Sequence, residues 1–524
     1  MKRVAVVGSG PAGTWCAHAL VARGIKPVIL DAGERLDESR QAVVDRLARM
    51  PPNDWSADDL GVVTANPTVR DRAVPKKLAF GSDFVYGGQR DHSPLVAPTH
   101  GSAPTYALGG YSTVWGGAML PIAAQELDGW PLGVAALEPH YRAVLARVPL
   151  AAAHDGLESE FPLFVEPQSL APPQQGRSLL SDLAAAGDRL GAAGIVAGRA
   201  RLAVQSGPSA GGCMHCGLCL SGCPVGAIYW SGRDIEDLVG RGDAEYHRAV
   251  VTAVREVGQE VEVEMLDPTS RERSAVRFDH VFLAAGAINT TRILLRSRPD
   301  RGTTATLLDS QKFVLPLIRR RAEPTAAHAP GNVLATAFIE INDPTVSRRW
   351  VHVQVSPMNR LLLERLRVTE HSWRARLLAP LLTRLMVCLG SLNPDESGRV
   401  ELSLQGGSPN GILHVRKVAS VGAKAAAQRV ASKLARVSHH FGAFVPPVSP
   451  TIAEIGVSAH IGGSFPMQPT PTKHLSSDVF GRPAGARRIF ITDSSAFPSV
   501  PGTTVALTIM ANAHRIGSEA PFEV

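Results

Sequence analysis

The chain has 524 residues, 44% of them hydrophobic and 19% charged, with 49 glycines, 39 prolines and a net charge of +7 at pH 7. This composition excludes a disordered or acidic solvating chain, and a mean hydropathy of +0.03 excludes a multispan membrane protein. The glycines follow no triplet period, which rules out a collagen-like rod, and a mild positive charge spread over this length is no nucleic-acid footprint. The length alone points to roughly two to four domains.

The N-terminal MKRVAVVGSG opens on a basic pair, but its apolar stretch is short and runs into glycines. It fits no secretory or twin-arginine signal, and no run of about 18 apolar residues follows, so a soluble, cytoplasmic protein is expected. Residues 3–31 predict one βαβ unit. Arg3 to Val7 is a short apolar strand. Gly8-Ser9-Gly10-Pro11-Ala12-Gly13 turns it into a helix carrying Trp15, Ala19, Leu20 and Ala22. Gly24 ends that helix, and Pro27 to Leu30 is the next strand, closed by Asp31. Residues 35–130 read as long excursions from a sheet, 137–147 and 178–193 as helices, and 205–231 as irregular. His280 to Ala284 and Ile489 to Asp493 read as buried strands. Residues 312–420 alternate as antiparallel strands do, as in Val400-Glu401-Leu402-Ser403-Leu404.

The fold class expected is α/β: a Rossmann-type nucleotide domain assembled from residues 1–135, 236–310 and 456–524, a helical and loop region over 136–235, and a mostly antiparallel substrate domain over 311–455. The glycine turn has a physical logic. Gly8 permits the tight turn, Gly10 lets a pyrophosphate approach the backbone, and Gly13 allows close helix–strand packing. Asp31 is placed to accept from a ribose hydroxyl. The motif alone does not decide between NAD and FAD.

Further segments do decide. Leu108-Gly109-Gly110-Tyr111-Ser112-Thr113-Val114-Trp115-Gly116-Gly117-Ala118-Met119, Leu283-Ala284-Ala285-Gly286-Ala287-Ile288-Asn289-Thr290, Ala459-His460-Ile461-Gly462-Gly463 and Ile491-Thr492-Asp493-Ser494-Ser495-Ala496-Phe497-Pro498 resemble the glucose–methanol–choline (GMC) oxidoreductases, in the family's order. The resemblance fades over about 310–390. It implies FAD, with contacts from Gly8, Ser9, Gly10, Pro11, Ala12 and Gly13 in the turn, and from Asp31, Ala32 and Gly33 after the second strand. It also implies contacts from Gly110, Ser112, Trp115, Gly116, Gly117 and Met119, from Ala285 and Gly286, and from Asp493, Ser494, Thr503 and Val505. Some relatives link FAD covalently to a histidine where this chain has Val114, so non-covalent FAD is expected.

Oxidation of an alcohol by a flavin needs a base for the hydroxyl proton and an acceptor for the carbinol hydride. The resemblance puts His460, in H-x-G-G, at the family's active-site histidine. The family's second His or Asn falls on Thr504, which can share one hydrogen bond but cannot serve as a base near neutral pH. His460 is therefore expected to act as sole base on a small-molecule alcohol such as a sugar, amino sugar or sterol. A core histidine is the plain alternative. His514 reads as a helix-end residue, His439, His440 and His474 as solvated, and Cys16 as core packing.

Cys213-x-x-Cys216-x-x-Cys219-x-x-x-Cys223-Pro224 resembles the bacterial ferredoxin run and predicts a [4Fe–4S] cluster on Cys213, Cys216, Cys219 and Cys223. A remote Cys16 or Cys388 as fourth ligand, or a three-cysteine [3Fe–4S] cluster, are variants of the same reading. Zinc prefers two separated ligand pairs, a redox dithiol needs a single C-x-x-C, and bare packing cysteines remain the plain alternative. A cluster beside FAD favours a dehydrogenase that hands electrons to a one-electron acceptor protein or quinone. The competing readings are an oxidase using O2 with a structural cluster, and a non-catalytic electron-transfer subunit. Residues 359–390 combine leucines at helical spacing with several arginines. A membrane or partner contact there is weighed against a lid helix with a solvated basic face, and the lid is favoured.

Overall fold

The computed structural model describes residues 2–522 apart from 66–76, 89–91, 93–94, 97–102, 208–210, 298–302, 324–332, 360–362, 364–372, 406–410 and 473. The first unit is the expected one. Strand β1 (Val4–Val7) leads through the glycine turn into helix α1 (Pro11–Ala22) and then strand β2 (Val28–Asp31). β1 pairs in parallel with β2 on one side and with His280–Leu283 on the other. Ile489–Ile491 extends the sheet beyond His280–Leu283, and Glu245–Arg248 extends it beyond β2, again in parallel. Every residue of β1 is buried, because both faces of a central parallel strand are covered; its run of four apolar residues follows from that.

Helix α1 packs against the closing helix Ala506–Glu519. A side chain at Gly517 would sit 2.8 Å from Ala19 Cβ and 2.9 Å from the Cys16 carbonyl oxygen, so the absence of a Cβ lets the two helices touch. Cys16 is fully buried at this crossing, as its core-packing reading anticipated. Glu245–Arg248 escaped prediction because it is a polar, largely exposed edge strand.

The other half is built on an antiparallel sheet. Its order is Ala443–Phe444, Lys312–Arg319, Leu385–Ser391, Val351–Ser356, Ala337–Ile341 and Ile195–Arg199, with Thr451–Ile452 also pairing onto Lys312–Arg319. Ile195–Arg199 thus joins this sheet, although the sequence assigned it to a helical and loop region. Phe313, Leu315 and Leu317 pack with the helices Gln174–Ala185 and Ala423–Val437, which cover one face. A second sheet carries Ala305–Asp309, Arg399–Leu404 and Leu413–Val418, flanked by short Ile461–Gly462 and Leu95–Val96. The parallel sheet with segregated antiparallel sheets is the α/β architecture expected.

Within 359–390, the structure describes residues 359, 363 and 373–390, and these include a helix, Trp373–Leu382, followed by the strand Leu385–Ser391. The helical spacing read over 359–390 therefore does not hold at its end, where Leu385 opens a strand. Arg360, Arg365 and Arg367, with Leu361, Leu362 and Leu366, lie outside the described residues. No helix among the described residues is long and apolar enough to cross a membrane.

Candidate active site

The glycine turn is shaped by its crowding. Gly8 has φ +107°, and a Cβ there would lie 2.5 Å from the Ala284 carbonyl oxygen; one at Gly13 would lie 1.9 Å from that of Gly8. Gly10 is different. The nearest atom to its hypothetical Cβ is Gly110 Cα at 3.8 Å, so the approach to the backbone there is open. Helix α1 has Pro11 in its first turn, no side-chain cap and no acidic residue in that turn. Its free N–H groups and positive dipole end suit a phosphate.

Ser9 and Ser231 fasten the 108–113 segment to this turn. The Ser9 hydroxyl accepts from Gly109 N at 2.9 Å and donates to Asp31 at 2.8 Å. The Ser231 hydroxyl lies 2.9 Å from that of Ser112 and donates to the Gly109 carbonyl at 3.0 Å. Asp31 also accepts from the backbone of Ser9 and Gly33 and from the Tyr246 hydroxyl. Burial pushes its carboxyl up to about 6 against those donors. Ala32 is buried beside Tyr106 and Val250, and Gly33 leaves room for the Tyr246 hydroxyl, 2.3 Å from where a Cβ would stand.

The closing segment ties the distant pieces together. Asp493 accepts from Gly286 N at 2.9 Å, from Thr290 Oγ1 and from Ser495 N, so its carboxylate joins the 285–290 turn to 493–496. Ser494 Oγ donates to the Ile461 carbonyl at 2.7 Å, which anchors the histidine loop. Met119 N bonds to the Arg201 carbonyl, and Val505 caps the closing helix. Thr503 Oγ1 is buried without a hydrogen-bond partner among the described residues. That orphan hydroxyl, the open face at Gly10 and the uncapped helix end fit a bound dinucleotide such as FAD.

His460 sits where the two halves meet. Ile461–Gly462 pairs with Leu308–Asp309, and the His460 carbonyl accepts from Ser310 N at 3.0 Å. Its own N–H donates to Ser458 Oγ at 3.0 Å, and Ser458 in turn donates to the buried Asp309. On the ring, Nδ1 lies 3.2 Å from Lys312 Nζ. Burial, then the nearby Lys312 and His352, hold the imidazole well below its usual pKa. Burial likewise lowers the Lys312 ammonium to about 8, with Asp309 opposing. Thr504 is turned elsewhere: its Oγ1 accepts from Leu120 N at 2.6 Å, and no hydrogen bond joins it to His460 among the described residues. His514 lies within the closing helix rather than at its end, and it pairs with His140 at 2.8 Å across a helix contact. Lys312 was missed by sequence reasoning. No motif marks it, and it lies where the family resemblance fades.

The four cysteines occupy an irregular loop folded over left-handed turns at His215, Gly217, Gly222 and Gly226. A backbone N–H reaches each sulfur: His215 to Cys213, Leu218 to Cys216, Val333 to Cys219, and Ala227 to Cys223 at 3.2 Å. Burial, reinforced by their mutual charge, raises the thiols of Cys213, Cys216 and Cys219, the second to about 11 and the third to about 12. Such a set resists ionising unless a cation compensates it, and sulfur-directed N–H groups are what thiolate ligands need. Cys388 is raised by burial alone and Cys16 by burial near Arg23, so neither shares this electrostatic group. Among the described residues, no three or more His, Cys, Asp or Glu side chains are gathered in metal-binding geometry. The loop is fastened to the 115–119 segment. Ala203 N donates to the Gly117 carbonyl at 2.6 Å, Trp115 Nε1 to the Tyr229 carbonyl at 2.8 Å, and Cys213 N to the Gln205 carbonyl at 2.9 Å.

Comparison with known proteins finds no matching family model and no matching curated sequence. Among solved structures, the chain is similar to the crystal structure of pyridoxine 4-oxidase from Mesorbium loti, with 13% sequence identity, a TM-score of 0.61 and 99% of each chain covered. At that identity the likeness establishes a shared fold over the whole length.

Proposed function

We propose that the chain is an FAD-dependent oxidoreductase of the GMC type that oxidises the CH–OH group of a small alcohol. Electrons would leave through a [4Fe–4S] cluster on Cys213, Cys216, Cys219 and Cys223 to a one-electron acceptor protein or quinone. The observation that carries the reading is His460. It is a neutral, partly buried imidazole with one ring nitrogen engaged by Lys312 and the other left for a substrate, beside segments that resemble flavin-contacting ones. Bound FAD supplies the hydride acceptor, and a cluster, where bound, supplies one-electron transfer. The glycine turn and helix α1 would hold the pyrophosphate, residues 108–119 and 493–505 would line the cofactor site, and His460 would take the hydroxyl proton.

The fold shared with pyridoxine 4-oxidase supports a flavin-type architecture, and the cluster rests on the Cys213-x-x-Cys216-x-x-Cys219-x-x-x-Cys223-Pro224 spacing alone. The oxidase reading has its own support in the name of that structure. Anaerobic purification followed by a spectrum tests the proposal. Flavin bands, a broad blue-violet shoulder and stoichiometric iron are expected. Bleaching of the flavin by one member of a panel of sugars, amino sugars and sterols should follow. Absence of flavin together with failure to bind added FAD defeats the proposal. Zinc or no metal defeats the cluster, and fast peroxide formation in air selects the oxidase.

A further inference from the structure

Resting on that reading of His460, we infer that Lys312 is the positioning residue that decides whether His460 acts as a base. The contact has two states. Lys312 Nζ lies 3.2 Å from His460 Nδ1. An ammonium carries only donors, so in that form it donates to Nδ1, and the neutral ring keeps its proton on Nε2. An amine carries a lone pair. Nδ1–H then donates to it, Nε2 keeps its own lone pair, and the ring can take a hydroxyl proton. Nε2 makes no hydrogen bond among the described residues and is not sealed from its surroundings, so it is the nitrogen open to a substrate.

The lysine belongs to a built array. Lys312 faces Ser391, Ser391 faces His352, and His352 faces Glu340, in direct register across four neighbouring strands. All four lie on the sheet face opposite the helices and are buried, Lys312 at 8% exposure and the others at 0%. The described partners of Lys312 Nζ are Ser391 Oγ and His460 Nδ1, neither of them a carboxylate. Burying an ammonium on such partners is costly, which favours the amine. Among the described residues, the remaining charged or titratable groups facing this pair are Asp309, held by Gly456 N and Ser458 with Lys417 beyond it, and His352, bonded to Glu340.

The protons balance. The substrate O–H breaks as Nε2–H forms, and Nδ1–H breaks as Nζ–H forms. The carbinol hydride, with its electron pair, goes to the FAD already proposed, and the carbonyl product is left. His460 ends neutral with its tautomer exchanged, and the Lys312 ammonium loses its proton to solvent before the next turnover. Burial lowers the Lys312 ammonium to about 8 and holds the His460 imidazole well below its usual range, so both are neutral above that pH. Flavin reduction should then fall about tenfold per pH unit below it and level off above.

The test uses full-length holoenzyme labelled with 15N-histidine, with His460→Gln identifying the His460 signals. In the wild type the ring should carry its proton on Nε2 at low pH and on Nδ1 at high pH, with a midpoint at about 8 matching the rate profile. Lys312→Met should abolish that midpoint in both the spectrum and the rate. Lys312→Arg, charged at every pH, should lock the proton on Nε2 and slow flavin reduction by at least about 100-fold throughout while FAD content is kept. A wild-type tautomer that does not change with pH overturns the inference. So does an Arg variant that reduces its flavin at nearly the wild-type rate. If the tautomer exchanges but no alcohol reduces the flavin at any pH, the reaction assignment fails and the Lys312–His460 coupling stands.

Discussion

Gly10→Ala separates the cofactor's needs from the fold's. Gly10 caps helix α1 with φ −67° and ψ 179°, a conformation alanine adopts without strain. Among the described residues a methyl there meets nothing closer than 3.8 Å, so the flavin-free protein has room for it. Two small effects on stability remain. Alanine is a poorer N-cap than glycine by about 0.5–1 kcal/mol, and it stiffens the unfolded chain by about 0.4–1 kcal/mol in the opposite direction. Their near cancellation predicts an apo-protein melting curve close to wild type. In the holoprotein the methyl would stand where the pyrophosphate approaches, and forcing a methyl into a packed contact costs about 1–3 kcal/mol, or roughly 5- to 150-fold in Kd. Titration of apo-protein with FAD, followed by flavin fluorescence quenching, measures this directly. Gly13→Ala is the control: its methyl would lie 1.9 Å from a backbone oxygen, so fold and flavin binding should fail together. Wild-type FAD affinity in folded Gly10→Ala would refute the placement of the pyrophosphate at this turn.

Acid precipitation should release all FAD into the supernatant, since Val114 offers no linking atom; yellow colour kept in the pellet would contradict this. His460→Ala should keep FAD and lose about 10²–10⁴-fold in stopped-flow flavin reduction, and a near-normal rate would move the base elsewhere. Thr504→Ala should act mainly on stability, by about 1–3 kcal/mol in denaturant unfolding, because it strips the buried Leu120 N–H of its acceptor. A large loss of flavin reduction with unchanged stability would return Thr504 to the substrate. Cys216→Ser should lower iron content and abolish the low-temperature EPR signal, while substrate still bleaches FAD in a single turnover. Its steady-state rate with a one-electron acceptor should fall sharply. A folded, iron-free variant that kept that rate would make the cluster structural.

What the sequence made legible was local. The glycine turn, β1, α1 and β2 lie within 31 consecutive residues, and their geometry follows from steric rules that operate between near neighbours. The apolar runs at 280–283 and 489–491 were readable as strands because a parallel sheet buries both faces. Glu245–Arg248 was not, since an exposed edge strand carries no apolar signature. The same division holds at the site. His460 stands in a short recognisable motif, whereas Thr504, picked out only by the sequence resemblance, has its side chain turned by a tertiary contact with Leu120 N. Lys312, Ser391, His352 and Glu340 span about 80 residues and share no pattern. What unites them is the register of four antiparallel strands, and a slip of one residue in any strand would send its member to the helix-covered face. On that face Phe313, Leu392, Val353 and Ile341, each one residue along from a member of the row, lie in the core. The apolar alternation that fixes the sheet against its helices therefore also fixes the polar row. The proton chemistry proposed for His460 would thus depend on packing more than sixty residues away in sequence, which no local motif could announce.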